Sequence, residues 1–146
     1  MAHVRKQIRD AFAAVLTGLS ITQSRVFTNR TMVMQSSELP GLLITTNSEQ
    51  DKAQDIHGLI LERLLTVNVI AKCLASSHCD DLLDGIAAEV EVAIQANQTL
   101  GGLCKNIQLL ALDISIDENQ EQIIGELVMQ FQVLYYTQSG VPDISI

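Results

Sequence analysis

The densest set of reactive side chains in the sequence is His78-Cys79-Asp80-Asp81, an imidazole, a thiol and two carboxylates in a row. A thiol at a helix N-terminus has a lowered pKa, and a neighbouring base makes it a nucleophile. The same stretch also reads as a helix entrance. Ser77 is placed as N-cap with a carboxylate, Asp80, three positions on, and Asp80, Asp81 and Asp84 suit the positive end of the helix dipole. Thiol chemistry needs a positioned base and an oxyanion site besides the nucleophile. The sequence identifies neither, so the helix entrance is the preferred reading.

The other candidates are weaker. No spacing links His3, His57 or His78 to a nucleophile. Glu89 and Glu91, two apart on a helix, do not share a face, and Asp117 and Glu118 fall in a predicted turn. Gly101-Gly102 is followed by Leu103-Cys104 with no Lys-Ser/Thr, which makes it a helix stop and not a phosphate loop. Cys73, Cys79 and Cys104 are odd in number and lack a CxxC pair, so neither a disulfide framework nor a zinc site is expected. The chain reads as a non-enzyme with no catalytic, cofactor or metal residues.

Composition narrows the partners. At 146 residues the chain is the size of one domain, and 47% hydrophobic against 18% charged residues excludes bulk disorder. Nine basic against seventeen acidic residues leave a net charge of −8, which opposes a phosphate backbone. With no Trp, three Phe and two Tyr, base stacking has little to work with. Specific nucleic-acid binding is not expected. No stretch approaches the roughly 18 apolar residues that span a bilayer. Arg5, Lys6, Arg9 and Asp10 interrupt the first apolar segment, so the reading has no secretory leader, no membrane partner and synthesis in the cytosol.

The elements that must position any site follow from periodicity. Val4, Ile8, Ala11, Phe12, Val15, Leu16 and Leu19 make an amphipathic helix ending near Gly18. Short strands are predicted over residues 25–28 and 42–46, separated by a polar loop at 29–38 and by Pro40-Gly41. After a polar stretch at 47–57, Leu61, Leu65, Val67, Val69, Ala71 and Cys73 alternate with polar residues in one long half-buried strand. A second helix runs to about Asn97 on a stripe of Leu82, Leu83, Ile86, Ala87, Val90, Ala93 and Ile94. Leu110 to Ile116 and Ile123 to Tyr135 then alternate as an antiparallel hairpin across a polar turn. The fold class is α+β: a mainly antiparallel or mixed sheet with both helices packed on one face. The opposite face mixes Thr66, Asn68, Gln130 and Gln132 with Ile70, Leu134 and Tyr136, and suits partial burial against another protein. Residues 1–138 form the single domain. Residues 139–146 form a C-terminal tail, loose or added to a neighbour's sheet edge.

Charge is unevenly spread. Residues 1–75 carry eight basic and six acidic side chains, residues 76–146 one basic and eleven acidic. If Arg5, Lys6, Arg9, Arg25 and Arg30 cluster apart from Glu118, Glu121 and Glu126, copies attract head to tail, and a closing rotation makes a ring. If the halves interleave in the sheet, the asymmetry averages out.

One family combines these features. His3-Val4-Arg5-Lys6-Gln7-Ile8-Arg9, Thr17-Gly18-Leu19 with Arg25-Val26-Phe27, and Glu38-Leu39-Pro40-Gly41-Leu42-Leu43-Ile44 resemble tail terminator proteins of tailed phages and prophages, the minor tail protein U type. The resemblance continues through Leu83-Asp84-Gly85-Ile86-Ala87-Ala88-Glu89-Val90-Glu91, Leu100-Gly101-Gly102-Leu103 and Val133-Leu134-Tyr135-Tyr136-Thr137. It implies a hexameric ring that caps the tail tube, stops its elongation and meets the head-completion or connector proteins at the head-tail junction of the virion. A different connector protein or a tube subunit is the alternative. In such a ring, Asp113, Asp117, Glu118 and Glu121 are expected to face the lumen and repel passing DNA. Arg5, Lys6, Arg9, Arg25 and Glu126 are the expected ring-interface charges, and Asn29, Arg30, Met32, Val33 and Met34 the expected contact with the tube or a neighbouring subunit, methionine suiting an adaptable surface.

Overall fold

The computed structural model describes residues 2–28, 36–74, 79–117 and 124–146. Helix α1 (Val4–Leu16) forms where Val4, Ile8, Phe12 and Leu16 recur once per turn, and these four are its buried residues. His3 caps it, its Nδ1 accepting a hydrogen bond from the Arg5 N–H at 3.1 Å. Thr17 leaves the helix extended, and Gly18 turns the chain with a left-handed φ of 96°.

The sheet has six strands, five of which, β1 (Val26–Thr28), β2 (Gly41–Ala53), β3 (Ile60–Leu74), β4 (Asn106–Asp117) and β5 (Ile124–Gln138), lie in the order β1-β2-β3-β5-β4, while the sixth, at the chain end, pairs with β5. The β1–β2 pair is parallel and the others are antiparallel, so the sheet is mixed as expected. Along β3 and β5 buried and half-buried residues alternate from end to end. Helix α2 (Cys79–Gln95) packs on β3 and β5, and α1 on β1, β2 and α2. The α+β architecture with two helices on one face is thereby confirmed. Its core runs from Phe12 and Leu16 through Leu42, Val67 and Val69 to Leu83, Val90, Met129 and Phe131.

Strand β2 is 13 residues long where the sequence suggested five, because the pairing with β3 shifts between Thr46 and Ser48. The shift re-aims the alternation, so that Glu49 and Asp51, paired with Leu65 and Arg63, continue the face of Leu42 and Ile44. A strand whose covered half is acidic reads as a loop.

The chain end departs from the tail reading. Residues Val141–Ser145 form β6, antiparallel to β5 of the same chain, with the Ile146 N–H donating to the Tyr136 carbonyl at 3.0 Å. Gln7 Nε2 donates to the Asp143 carbonyl at 2.8 Å, which ties this strand to α1.

The cysteines also correct the expectation. Cys73 at the end of β3 and Cys79 at the start of α2 are disulfide-bonded, with Cα atoms 6.6 Å apart, and Cys104 remains free and buried. The odd count hid a local pair that the strand-to-helix connection brings together. Gly125 opposite them is required, since a Cβ there collides with Cys79 Sγ.

One edge stays bare for a geometric reason. Five strands at about 4.8 Å spacing span about 24 Å, and two helices of about 10 Å cover about 20 Å. The uncovered strand is β4, whose residues from Gln108 to Ile116 are all exposed.

Candidate assembly surfaces

The reactive quartet makes no nucleophilic site. Cys79 is bonded to Cys73, His78 lies outside the described residues, and Asp80 and Asp81 are exposed in the first turn of α2. The remaining thiol is unsuited to attack, because burial pushes Cys104 up to about 11. Among the described residues no group of His, Cys, Asp and Glu is placed to hold a metal ion, and no helix is long and apolar enough to cross a membrane.

The first surface is the bare face of β4. Leu109, Leu112, Ile114 and Ile116 pair with Phe131, Met129, Leu127 and Gly125, the covered face of β5, yet are 38% to 48% exposed. Between this row and α2 lies a groove lined by Glu91, Ile94, Gln95, Gln98, Ile107 and Leu109. The register shift between Leu109 and Ala111 moved the alternation by one, which the sequence reading, running from Leu110, did not show.

The second surface is the sheet face without helices. Leu64, Ile70, Leu134 and Tyr136 are half-buried there beside Thr66, Asn68, Gln130 and Gln132, the mixture expected from the sequence. Asp113 pairs with Val128 at the edge of this face and is exposed. Asp117 closes β4 opposite Ile124, while Glu118 and Glu121 lie outside the described residues. Glu126 is on this face also, 3.6 Å from Lys72 Nζ.

The third feature is a charged network that the sequence did not disclose. Glu49 receives Arg63 at 3.0 Å, Arg5 at 3.5 Å and the Tyr135 hydroxyl. Arg63 also donates through Nε to Thr137 Oγ1 at 2.9 Å and lies 3.7 Å from Asp51. Burial, with the Glu49 hydrogen bond and charge, raises the Tyr135 phenol and the Asp51 carboxyl. Burial, then the Arg5 and Arg63 charges, lower His3. Everything here joins α1 to the ends of β2, β3 and β5, which marks a structural clamp.

Of the expected interface charges, all five have partners within the chain. Arg5 pairs with Glu49, and Lys6 with Asp10 at 2.6 Å. Arg9 donates to Thr46 Oγ1 at 3.0 Å, and Arg25 donates to the carbonyls of Pro40 at 2.7 Å and Ile21 at 2.9 Å. Glu126 pairs with Lys72 on the opposite face from α1. The structure brings the four basic residues to the α1, β1 and β2 side and leaves Glu126 apart from them. Asn29, Arg30, Met32, Val33 and Met34 lie outside the described residues.

A family model described as phage minor tail protein U matches residues 3–135. No curated protein matches the chain. Among solved structures, a chain from the virion of a native gene transfer agent particle is similar at 18% identity and a TM-score of 0.49, covering 90% of this chain and 92% of that one.

Proposed function

This chain belongs to the phage minor tail protein U family and is a structural component of a phage tail, hence of the virion; from that premise we propose that it is the tail terminator. Copies close into a ring, in our reading a hexamer, on the last ring of the tail tube. The ring blocks further subunit addition and offers its other side to the head-completion or connector proteins at the head-tail junction, after assembly in the host cytoplasm. The observation that carries this reading is the family match over nearly the whole chain. Function then resides in complementary surfaces, and no reaction is catalysed.

The acidic balance suits a ring through which DNA slides. Carboxylates within about a Debye length of 8 Å of the lumen repel the phosphate backbone. We assign this role to Asp113, Asp117, Glu118 and Glu121. Reversing their charge slows genome ejection; unchanged ejection kinetics remove the assignment. The contact with the tube is assigned on sequence grounds to Asn29, Arg30, Met32, Val33 and Met34. Met32→Asp with Met34→Asp leaves the fold intact and abolishes capping, and tails of normal length from that variant refute it. The remaining interface charges, Arg5, Lys6, Arg9, Arg25 and Glu126, are assigned to subunit contacts.

Electron microscopy of the purified protein with tail tubes tests the reading. A terminator adds one closed ring to a tube end. Continuous filaments of this chain contradict it and point to a tube subunit.

A further inference from the structure

We propose that the bare face and free edge of β4, together with the groove beside α2, form one half of the contact between copies of this chain, and that the α1–β2 flank of the next copy forms the other half. The inference rests on the ring reading and names its interface.

Strand β4 runs 12 residues, contains no Lys or Pro, and has no strand on its outer side among the described residues. Edge strands are ordinarily blunted by such residues, by shortness or by bulges. Here a bulge at Leu110 interrupts only the first half, and the row Leu112, Ile114 and Ile116 beyond it is aliphatic. Four exposed side chains of one aliphatic row, with unpaired backbone groups alongside, constitute a contact surface.

Charge selects the occupant. The sheet order keeps β1, β2 and β3 together and puts β5 and β4 beyond them, so the two halves of the chain do not interleave. The acidic half supplies the β4–α2 flank, where Asp80, Asp81, Asp84 and Glu91 are exposed. The other flank exposes Arg5, Lys6 and Asp10 on α1 and Asp51 and Lys52 on β2, three basic residues against two acidic ones, so it is the less acidic of the two flanks and carries the cations. Pairing β4 with β4 across a twofold axis sets acidic flank against acidic flank. Seating the next copy's α1–β2 flank there sets basic residues against acidic ones, and such a head-to-tail contact generates a ring when its rotation closes.

The test uses the purified full-length chain with purified tail tubes, and counts closed rings on tube ends by electron microscopy alongside native mass measurement of the assembled species, a readout that does not depend on lysine content. Leu112→Asp with Ile114→Asp replaces side chains that are 41% and 47% exposed, so the circular dichroism spectrum stays that of the wild type and the unfolding temperature drops by only a few degrees, while ring yield falls about tenfold or more. Lys6→Glu with Lys52→Glu also lowers ring yield, and adding Asp84→Lys with Glu91→Lys to the same chain restores it. Wild-type rings together with undiminished rings from the β4 variant overturn this interface and leave the ring reading standing. Wild-type twofold dimers that the β4 variant abolishes overturn the head-to-tail arrangement. A wild type that places no closed ring on the tube overturns the ring reading itself.

Discussion

Arg63 Nη1 stands 3.0 Å from Glu49 Oε2, with the two side chains 9% and 4% exposed. An ion pair so withdrawn from water is held by the extra bonds to Thr137, Tyr135 and Arg5. Removing one member strands a buried charge. Glu49→Ala or Arg63→Met is expected to cost about 3–5 kcal/mol of unfolding free energy, and the double variant less than the sum of the two. Urea denaturation checks both values, and strict additivity would show that the residues do not act as a unit.

Tyr135 gives the clamp an alkaline limit. Its folded-state pKa is raised above the ordinary phenol value of 10.0, first by burial and then by Glu49. A raised folded pKa means that the native state holds the proton more tightly, so stability is intact below about pH 10 and declines as pH rises above it. Tyr135→Phe loses the hydroxyl contact to Glu49 and is less stable at neutral pH, yet its stability declines less between pH 9 and 11. Parallel urea titrations at several alkaline pH values measure the two slopes.

Thiol counting tests the cysteine arrangement. The folded protein at neutral pH should show no fast-reacting thiol, since Cys104 is buried and raised to about 11 and the other two are bonded to each other. Denaturation without reductant exposes one thiol, and with reductant three. A fast thiol in the folded state would return Cys79 to consideration as a nucleophile.

Gly125→Ala is expected to destabilise by about 1–3 kcal/mol, the usual range for overpacking a filled core. Its added methyl collides with Cys79 Sγ and crowds Cys73 Sγ at 3.4 Å. Gly140→Ala is a control that meets nothing in space and is strained only through its φ of 80°. Thermal unfolding of both variants separates crowding from backbone strain.

Helices and long strands were legible in the sequence wherever burial repeated without interruption. Val4, Ile8, Phe12 and Leu16 announce α1, and the alternation from Leu61 to Cys73 announces β3. What stayed hidden had a physical cause in each case. The acidic half of β2 lost its pattern because a register shift put Glu49 and Asp51 on the covered face, where Arg63 and Arg5 neutralise them. The bareness of the β4 face was not legible, because alternation reports which residues share a side and not whether a helix reaches that side. The segment 139–146 was legible as a loose end or as a strand for a neighbour's sheet edge, but its partner was not, because the pairing depends on β5 of the same chain and the bond from Gln7. The assembly surfaces were accordingly visible as composition and as charge asymmetry, and became locations only through the strand order.

Tail length in the absence of the protein tests the terminator role most directly. Particles of a phage that encodes this chain, produced with its gene inactivated and viewed by electron microscopy, should carry tubes of uncontrolled length that fail to join heads, and supplying the wild-type chain should restore uniform, joined tails. Tails of ordinary length joined to heads without it would contradict the account.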